Sequence, residues 1–512
     1  MRRHPLLSAE ALLFHNPHCS ALPRTAFSLR ARRTPATADN RGTAVRGPSP
    51  AAPDLPGFPK SRFFSNVQGA ALMTSENLLN IDSTIPTLGP CKIQSPLSYR
   101  SWAGDRQTPI IVDDELTPLA TEPFMLGFET AGPRREIYFD PFRAKAAVVT
   151  CGGLCPGLND VIRAIVMEGY HGYQMAGILG VPFGLEGFIP SYRYRFVELT
   201  PDKVRDIHLF GGTTLGASRG PQDPAEIVDT LERSNVCMLF IIGGDGTMRA
   251  GKSIYEEVTR RGLKIAVVGI PKTIDNDISF IPQSFGFETA VSKATEAIEC
   301  AHTEALGAPY GIGIVKVMGR ESGFIAARAT LAMKEVNYVL IPEAPFCLEG
   351  EGGLLPALEA RLRTRGHAVI VVAEGAGQHL IAEETRGRGT DLSGNRILGD
   401  IGTYLCKRIK EHFVHSDIRP AIKYIDPSYI IRSVPAGAND KVYCGFLGQY
   451  AVHAAMAGRT GMVIAKVQSR YIHMPFDLVT RERRHMNISS DLWRAVLEST
   501  GQGDLRGMQP EE

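Results

Sequence analysis

Two acidic motifs follow apolar runs, and their spacing suits phosphate chemistry. The first is "IIGGDGT", in which Asp245 stands among three glycines directly after two isoleucines. Glycines allow a close backbone approach, and the free amide groups at the start of a following helix attract phosphate. Asp245 could then hold the magnesium ion that accompanies such a phosphate. The alternative is an ordinary strand-to-helix turn in which the glycines only relieve strain.

The second acidic motif is "GIPKTIDNDI", where Asp275 and Asp277 are two residues apart after another apolar run. Two carboxylates held close together raise the pKa of one of them, which suits a general base. In a second interpretation, one carboxylate binds metal while the other takes a proton. A solvated acidic turn is less favoured, because Lys272, Thr273 and Asn276 lie in the same turn.

Four further motifs carry groups that suit phosphates and sugars. "TCGGLCPGLND" resembles a nucleotide loop but lacks the P-loop lysine. Arg320 in "MGRESG" offers a bidentate fork for phosphate, and Glu374 in "AEGAG" could accept the protons of sugar hydroxyls. In "KYIDPSYIIR", Lys423, Tyr429 and Arg432 could bind a second phosphate. Each alone could be an ordinary residue, but together they suit phosphoryl transfer to a hydroxyl of an already phosphorylated substrate.

The elements that must position these motifs alternate from residue 145 onwards. Apolar runs such as "KAAVVTCGG" alternate with segments of helical spacing such as "GLNDVIRAIVMEGY". Repeated strand–helix units with nearly continuous apolar strands predict an α/β fold whose parallel sheets are covered on both faces. Ligands of such sheets bind at the carboxyl ends of the strands, where the motifs fall. Residues 75–140 show no sustained period and are predicted to form an irregular extension.

Composition narrows the class of protein. The 512 residues are 44% hydrophobic and 21% charged, with a net charge of +2, so bulk charge does not argue for nucleic acid. No apolar run is long enough to span a bilayer. Nine scattered cysteines without a Cys-x-x-Cys predict an intracellular protein with reduced thiols. A redox role stays open for Cys151 and Cys155, which lie close together in the sequence.

The first sixty residues contain eight arginines and only three acidic residues. Arginine-rich, acid-poor leaders are typical of organelle transit peptides, so we predict one over residues 1–70. A plastid is the first destination, with mitochondrion or cytoplasm as alternatives. A disordered cytosolic tail is the other interpretation.

Six motifs in a fixed order, from about residue 145 to residue 479, resemble the plant-type group of ATP-dependent 6-phosphofructokinases: "GGLCPGLN", "GGDGT", "PKTIDND", "MGRESGF", "AEGAG" and "DPSYIIR". The resemblance implies a glycolytic allosteric enzyme that transfers a phosphoryl group from ATP, with Mg²⁺, to the 1-hydroxyl of fructose 6-phosphate. It implies two doubly wound, Rossmann-like parallel-sheet domains facing a cleft, and a homotetramer or another homo-oligomer without nucleic-acid or membrane partners. The chain would divide into a leader (1–70), an extension (71–144), an ATP-binding domain (145–290 plus 431–480) and a sugar-phosphate-binding domain (291–430 plus 481–512).

The resemblance also implies roles for individual residues. Asp275 would take the proton of the sugar's 1-hydroxyl, Thr273 and Arg320 would also be catalytic, and Asp245 would bind Mg²⁺. Arg320 could stabilise the moving phosphoryl charge. The ATP site would be lined by Gly153, Arg219, Gly220, Gly244, Asp245, Gly246 and Thr247. The sugar phosphate would contact Thr273, Ile274, Asp275, Met318, Gly319, Arg320, Glu374, Tyr429, Ile430, Ile431 and Arg432, the 6-phosphate being held by Tyr429 and Arg432.

Donor choice rests on two positions. Pyrophosphate-dependent members of the superfamily carry a second Asp after Gly-Gly-Asp, whereas Gly246 here leaves room for a nucleotide, so ATP is favoured. Lys272 is typical of the pyrophosphate enzymes, but the plant-type group combines it with glycine. A pyrophosphate-dependent phosphotransferase and a weakly active regulatory paralogue stay as alternatives. Ala250 departs from the family pattern because it replaces a glycine near the nucleotide. NAD and lipid kinases share "GGDGT" but lack "PKTIDND".

Overall fold

Two parallel-strand sheets follow one another along the chain in the computed structural model. The structure describes residues 81–98, 101–117, 120, 122–387, 389–391 and 394–506. The predicted leader at 1–70 lies outside the described residues. The described residues all belong to one compact unit, so the division into an ATP-binding and a sugar-phosphate-binding domain stays a prediction.

The extension before residue 145 contains more regular structure than the sequence indicated. It forms two small antiparallel sheets, one from β1 (Ile93–Gln94) and β4 (Glu136–Ile137), the other from β2 (Gln107–Val112) and β3 (Phe124–Glu129). The expectation of an irregular 75–140 segment is therefore wrong for these strands. The burial of β2 does alternate, but its apolar residues Ile110, Ile111 and Val112 are consecutive, and β3 alternates little, so the sequence shows no sustained period.

The first parallel sheet has seven strands in the order β15-β14-β9-β8-β5-β6-β7. Their bounds are β5 (Lys145–Thr150), β6 (Gly177–Val181), β7 (Val197–Glu198), β8 (Met238–Gly243), β9 (Ala266–Pro271), β14 (Met462–Val467) and β15 (Arg470–Pro475). The inner strands are parallel, whereas β7 and β15 pair antiparallel at the two edges. Every residue of β8 and β9 is buried, which explains their unbroken apolar sequence.

The second parallel sheet has four strands in the order β11-β12-β10-β13. They are β10 (Gly311–Val317), β11 (Tyr338–Leu340), β12 (His367–Ala373) and β13 (Ala421–Ile425), and all their pairings are parallel. The predicted α/β class with parallel sheets is confirmed.

Helices cover the sheets. Among the described residues they are α1 (Leu158–Met167), α2 (Pro201–Val204), α3 (Pro224–Arg233), α4 (Asp245–Arg260), α5 (Phe287–Leu306), α6 (Phe324–Met333), α7 (Leu354–Arg365), α8 (Ala382–Thr385), α9 (Ile401–His412), α10 (Ser428–Ser433), α11 (Ala438–Met456), α12 (Phe476–Val479) and α13 (Asp491–Thr500). One apolar cluster includes Val148 and Phe240 of the first sheet, Val371 of the second, and Ala294 and Ile298 of α5. Because the two sheets share this core, their strand ends are held in a fixed relation.

Strand order predicts where a ligand binds in the first sheet. From β5 the chain moves to β6 on one side and then to β8 and β9 on the other, so the order reverses between β5 and β8. Such a reversal opens a crevice outside the carboxyl ends of the strands. The turns after β5, β8 and β9 carry the first three motifs of the sequence.

Candidate active site

The turn after β8 combines one crowded glycine with one open glycine. A Cβ added to Gly243 would lie 2.2 Å from Oγ1 of Thr247, so only glycine fits there. A Cβ added to Gly246 would meet no atom within 4 Å. Gly244 precedes α4, whose first turn holds Asp245, Gly246 and Thr247. The open side of this turn can therefore admit a phosphate beside free helix amides.

Lys272 joins the turn after β9 to the turn after β5. Its Nζ donates a hydrogen bond to the carbonyl of Gly153 at 2.7 Å, and the residue is only 6% exposed. Burial lowers the pKa of this ammonium group. Arg219 lies beside Gly153 and forms an ion pair with Asp391 at 3.8 Å, next to Gly220 with its φ of +104°. The predicted donor-site residues of these turns thus lie together.

Asp275 has the environment of a proton acceptor. Its Oδ1 is buried and has no hydrogen-bond partner among the residues that the structure describes. Burial, as the largest cause, and the neighbouring charges of Asp277 and Glu374 together raise the pKa of the Asp275 carboxyl to about 7. Thr273 Oγ1 accepts a hydrogen bond from the Asp275 amide at 3.1 Å and donates its own proton to Asp277 Oδ1 at 2.9 Å. The hydroxyl therefore orients the turn without occupying the Asp275 carboxylate.

Asp277 links the two acidic motifs. Burial raises the pKa of its carboxyl, and the charge of Asp245 contributes in the same direction, whereas the Thr273 hydrogen bond and Arg483 lower it. Asp245 and Asp277 therefore lie close enough to influence each other, and Asp275 is two residues from Asp277. Both acidic motifs converge on one end of the first sheet.

Asp245 itself is held by two guanidinium groups. Arg249, one turn further along α4, donates from Nε to Oδ1 at 3.1 Å and lies with Nη2 3.1 Å from Oδ2. Arg483 approaches Oδ2 with Nε at 3.5 Å from the segment that follows α12. Sequence reasoning identified neither arginine. Arg249 could have been found, because residues four apart on a helix face each other.

The turns after β10 and β12 interlock at the end of the second sheet. The amide of Gly375 donates to the carbonyl of Gly319 at 3.0 Å, and a Cβ on Gly375 would lie 1.8 Å from the Arg320 carbonyl. Gly319 itself has a φ of +123°, which favours glycine. Glu374 lies in this interlocked region, and its buried Oε1 has no hydrogen-bond partner in the described part of the chain.

Arg320 and Arg432 bring positive charge to the same place. Both lower the pKa of Asp275 against the larger effect of burial, so both lie near that carboxyl. Arg320 Nη2 donates to the carbonyl of Arg396 at 2.6 Å. Across the gap between the sheets, Ser322 Oγ donates to the carbonyl of Asp275 at 2.9 Å. Asp275 therefore stands where the turns of both sheets meet.

Several residues predicted for the sugar site have side chains that are buried in the core, exposed to solvent or paired elsewhere. The side chains of Ile274, Met318 and Ile431 are buried in the apolar core, so only their backbones can face a ligand. Tyr429 is 82% exposed and Ile430 is also exposed. Lys423, which the sequence suggested for a second phosphate, instead pairs with Glu304 at 3.1 Å.

The structure also addresses two questions raised by the sequence: whether Cys151 and Cys155 have a redox role, and what Ala250 contributes. Cys151 and Cys155 are both buried, and burial raises the pKa of each thiol, that of Cys151 to about 12. Such thiols stay protonated at neutral pH, which argues against a redox role. The methyl group of Ala250 packs against an apolar cluster, and the neighbouring Gly251 lies where a Cβ would be 3.0 Å from Phe476. Ala250 thus contributes to packing on α4.

The part of the chain that the structure describes contains neither a membrane-spanning helix nor a cluster of three metal-ligating side chains. No helix there combines the length and the apolar character that crossing a membrane requires. No three or more His, Cys, Asp or Glu side chains there converge as a metal site.

The comparison with protein families decides the classification. The phosphofructokinase family model matches residues 145–455, which is more than half of the chain. The chain belongs to the phosphofructokinase family. An ATP-dependent 6-phosphofructokinase of Amycolatopsis methanolica is 49% identical over 439 residues, covering 82% of this chain and 95% of the relative.

A plant relative and a solved structure agree with this family. The chloroplastic ATP-dependent 6-phosphofructokinase 4 of Arabidopsis thaliana is 49% identical over 377 residues, covering 73% of this chain and 71% of its own. The crystal structure of a pyrophosphate-dependent phosphofructokinase from Marinobacter aquaeolei superposes with a TM-score of 0.57 at 21% identity, covering 72% of this chain and 94% of that one. At that identity the structural likeness shows the shared fold alone.

Proposed function

We propose that this protein is a phosphotransferase with an alcohol acceptor that acts as an ATP-dependent 6-phosphofructokinase. It would transfer the γ-phosphoryl group of ATP to the 1-hydroxyl of fructose 6-phosphate, giving ADP and fructose 1,6-bisphosphate in glycolysis. The bacterial and plant relatives that match most of this chain carry that activity in their names. The observation that carries the proposal is the environment of Asp275, whose carboxylate has a buried oxygen with no hydrogen-bond partner among the described residues and a pKa raised to about 7.

Asp275 is the proposed base. A carboxylate whose pKa lies near the working pH can take a hydroxyl proton, while a large fraction of it is ionised beforehand. In the part of the chain that the structure describes, no hydrogen bond occupies Oδ1, since the Thr273 hydroxyl donates to Asp277 instead. As the sugar hydroxyl attacks the phosphorus atom, its proton passes to Asp275 and the bond to ADP breaks. Positioning and charge stabilisation supply most of the catalysis in such transfers.

Asp245 is suited to bind a magnesium ion that would also be bound by the donor phosphates. Mg²⁺ commonly takes one or two protein carboxylates, with substrate phosphates and water as its remaining ligands. A single carboxylate beside an open phosphate turn meets that description, although no group of three ligands is found in the described residues. When bound, the ion supplies positive charge that neutralises the phosphates of the donor. Asp245 would hold it, and Gly244, Gly246 and Thr247 would contact the donor phosphates.

The open space at Gly246 supports ATP as the donor. An aspartate in this position would project a negative charge toward the donor phosphates, whereas glycine leaves the approach free. Lys272 is buried and bonded to Gly153, so we assign it to holding the phosphate turn in shape. Gly153, Arg219 and Gly220 would line the rest of the donor site. A pyrophosphate-dependent enzyme remains the second candidate because Lys272 occurs in that class.

The second sheet supplies the proposed sugar site. Glu374 has a buried carboxylate oxygen without a hydrogen-bond partner among the described residues, and this oxygen would accept from a sugar hydroxyl. Arg320 and Arg432 lie near Asp275 and would bind phosphate oxygens, Arg320 at the transferred group and Arg432 at the 6-phosphate. The remaining proposed contacts are Thr273, the backbones of Ile274, Met318, Gly319 and Ile431, and the exposed Tyr429 and Ile430.

The proposed function also implies a location, an oligomeric state and a form of regulation for this protein. We infer a plastid protein, because residues 1–70 have the composition of a transit peptide and one plant relative is named as chloroplastic. Cytoplasm and mitochondrion are the alternatives, and a fluorescent protein fused behind residues 1–70 would reveal the destination. A homotetramer or another homo-oligomer and allosteric control are predictions from the resemblance.

A paired donor assay tests the function. The purified full chain is incubated with fructose 6-phosphate, Mg²⁺ and either ATP or pyrophosphate, and fructose 1,6-bisphosphate is measured. We expect turnover with ATP and little with pyrophosphate, and loss of the ATP rate in Asp275→Asn. Turnover with pyrophosphate alone would favour the second candidate, and turnover with neither donor would favour a regulatory paralogue.

A further inference from the structure

The segment at residues 480–486 joins the ends of the two sheets, and the proposed mechanism does not use it. The amide of Arg484 donates to the carbonyl of Asp277 at 2.8 Å. Two residues later, the amide of Met486 donates to Glu343 Oε1 at 2.8 Å, and the same oxygen accepts from the amide of Gly323 at 3.0 Å. This segment is therefore fixed at once to the turn after β9 and to the start of α6.

Arg484 contacts backbone carbonyls and an aromatic ring. Its guanidinium donates from Nε to the carbonyl of Glu115 at 2.6 Å and from Nη1 to the carbonyls of Asn276 and Pro282 at 3.3 and 3.4 Å. It also stacks over the ring of Phe324 at 4.4 Å. Arg484 is buried and donates to three backbone carbonyls, so it stabilises the turn that carries Asp275.

Arg483 points the other way, into the proposed cleft. Its guanidinium reaches Asp245 Oδ2 from Nε at 3.5 Å, Glu321 Oε1 from Nη1 at 3.0 Å and Asn395 Oδ1 from Nη2 at 2.8 Å. Asp245 follows a strand of the first sheet, whereas Glu321 lies in the turn after β10 of the second. One side chain thus connects the carboxylate proposed to hold the metal to the sugar-side turn.

We propose that Arg483 is a positioning residue whose ion pair with Asp245 competes with a divalent cation for that carboxylate and is displaced when the cation binds. This inference rests on the proposed role of Asp245. A guanidinium 3.5 Å from Oδ2 repels an incoming cation and competes for the same oxygen. After displacement it remains tethered by Glu321 and Asn395 at the mouth of the donor site, where it can pair with a donor phosphate. Arg483 therefore weakens binding of the free metal and strengthens binding of the metal–nucleotide complex.

These opposite effects make the role testable with Arg483→Gln. Binding of Mn²⁺ alone to the full chain is measured by electron paramagnetic resonance, and the KM for ATP is measured separately. We expect Mn²⁺ affinity to rise about fivefold, because the substitution removes a repulsion between Arg483 and the cation. We expect the KM for ATP to rise about tenfold, because it also removes an attraction between Arg483 and a donor phosphate. Arg483→Lys keeps the positive charge, so its Mn²⁺ affinity should stay near that of the wild type.

Arg481 offers the matched control. It lies in the same segment, is exposed, and has no ion pair or hydrogen bond in the described part of the chain. Arg481→Gln removes the same charge and should leave Mn²⁺ affinity and the KM for ATP unchanged. Thermal unfolding of each variant shows whether it is folded, and Arg483→Lys provides the second test should Arg483→Gln not fold.

Asp245→Asn separates failure of this inference from failure of the proposed function. If Asp245→Asn loses Mn²⁺ binding while Arg483→Gln binds Mn²⁺ like the wild type, Arg483 does not compete for the metal and the inference is wrong. If Asp245→Asn binds Mn²⁺ as tightly as the wild type, the metal assignment is wrong and the inference falls with it. Equal changes in Arg481→Gln and Arg483→Gln would also overturn it, because the effect would then belong to net charge.

Discussion

Asp245 and Asp275 follow adjacent parallel strands of one sheet, yet their surroundings are opposite. Asp245 is held by two guanidinium groups, from Arg249 and Arg483. Asp275 has a buried oxygen that no described residue hydrogen-bonds, and its pKa is raised to about 7. The first environment holds the carboxylate in ion pairs that an incoming metal ion would have to replace, whereas the second favours a group that exchanges a proton.

This difference shows that tertiary contacts determine the electrostatic surroundings of the two carboxylates. Arg483 comes from the segment after α12, more than two hundred residues beyond Asp245 in the chain. Glu374, whose charge raises the pKa of Asp275, comes from the end of β12 in the other sheet. We therefore assign the same residue type two different proposed roles, metal ligand and base, according to the residues that distant segments place beside it.

Removing the proposed base should give the largest effect. Asp275→Asn keeps the size of the side chain but cannot accept a hydroxyl proton, so kcat should fall by about two to four orders of magnitude. Steady-state kinetics with ATP and fructose 6-phosphate measure this loss. Glu256→Gln, which removes an exposed charge from α4, should retain the wild-type rate. A kcat within a fewfold of wild type in Asp275→Asn would remove Asp275 from the mechanism.

Adding a carboxylate beside Asp245 should give the next largest effect. In Gly246→Asp the new side chain has room and sits in the first turn of α4, where acidic residues are tolerated, so the protein should fold. Its charge should repel the donor phosphates and lower kcat/KM for ATP by about tenfold or more. Kinetics with ATP and with pyrophosphate measure the change in donor preference.

Gly445→Asp is the matched control for that substitution. Gly445 also lies within a helix, α11, and a Cβ there would meet no atom within 4 Å. Its kcat/KM for ATP should remain at the wild-type value. Equal losses in both variants would mean that the Gly246 result reflects stability or assembly instead of donor binding.

A shift of the pH profile should be the smallest of these effects. The base must be ionised, so the rate should rise with pH through about 7 and level off above it. Asp277 raises the pKa of Asp275, so Asp277→Asn should lower the midpoint and leave a larger fraction of the plateau rate at pH 6. The new amide oxygen can still accept from Thr273. A midpoint that stays the same or rises would contradict the coupling between the two carboxylates.

The sequence predicted the buried parallel strands well and one edge hairpin not at all. β8 and β9 are continuous apolar runs that end in glycine or proline, which is a strong local signal. The hairpin of β14 and β15 turns at Gln468 and Ser469, both with positive φ. Turns of this kind usually contain glycine or asparagine, so these two residue types did not indicate a turn.

The acidic groups of the candidate site were recognisable, but their partners were not. Asp245 and Asp275 stand in motifs whose glycines, neighbours and position after strands indicate phosphate chemistry. Ser322, which binds the Asp275 carbonyl, and Arg483, which binds Asp245, depend on how two sheets and a late segment pack together. Contacts between residues so far apart in the chain leave no local pattern to read.

Metal binding and turnover in two variants test the central claim, that Asp245 holds the metal and Asp275 takes the proton. Mn²⁺ binding to Asp245→Asn and to Asp275→Asn is measured by electron paramagnetic resonance beside the rate of fructose 1,6-bisphosphate formation. We predict that both variants lose turnover, but that only Asp245→Asn loses Mn²⁺ binding. Retained Mn²⁺ binding in Asp245→Asn, or its loss in Asp275→Asn, would contradict this division of roles.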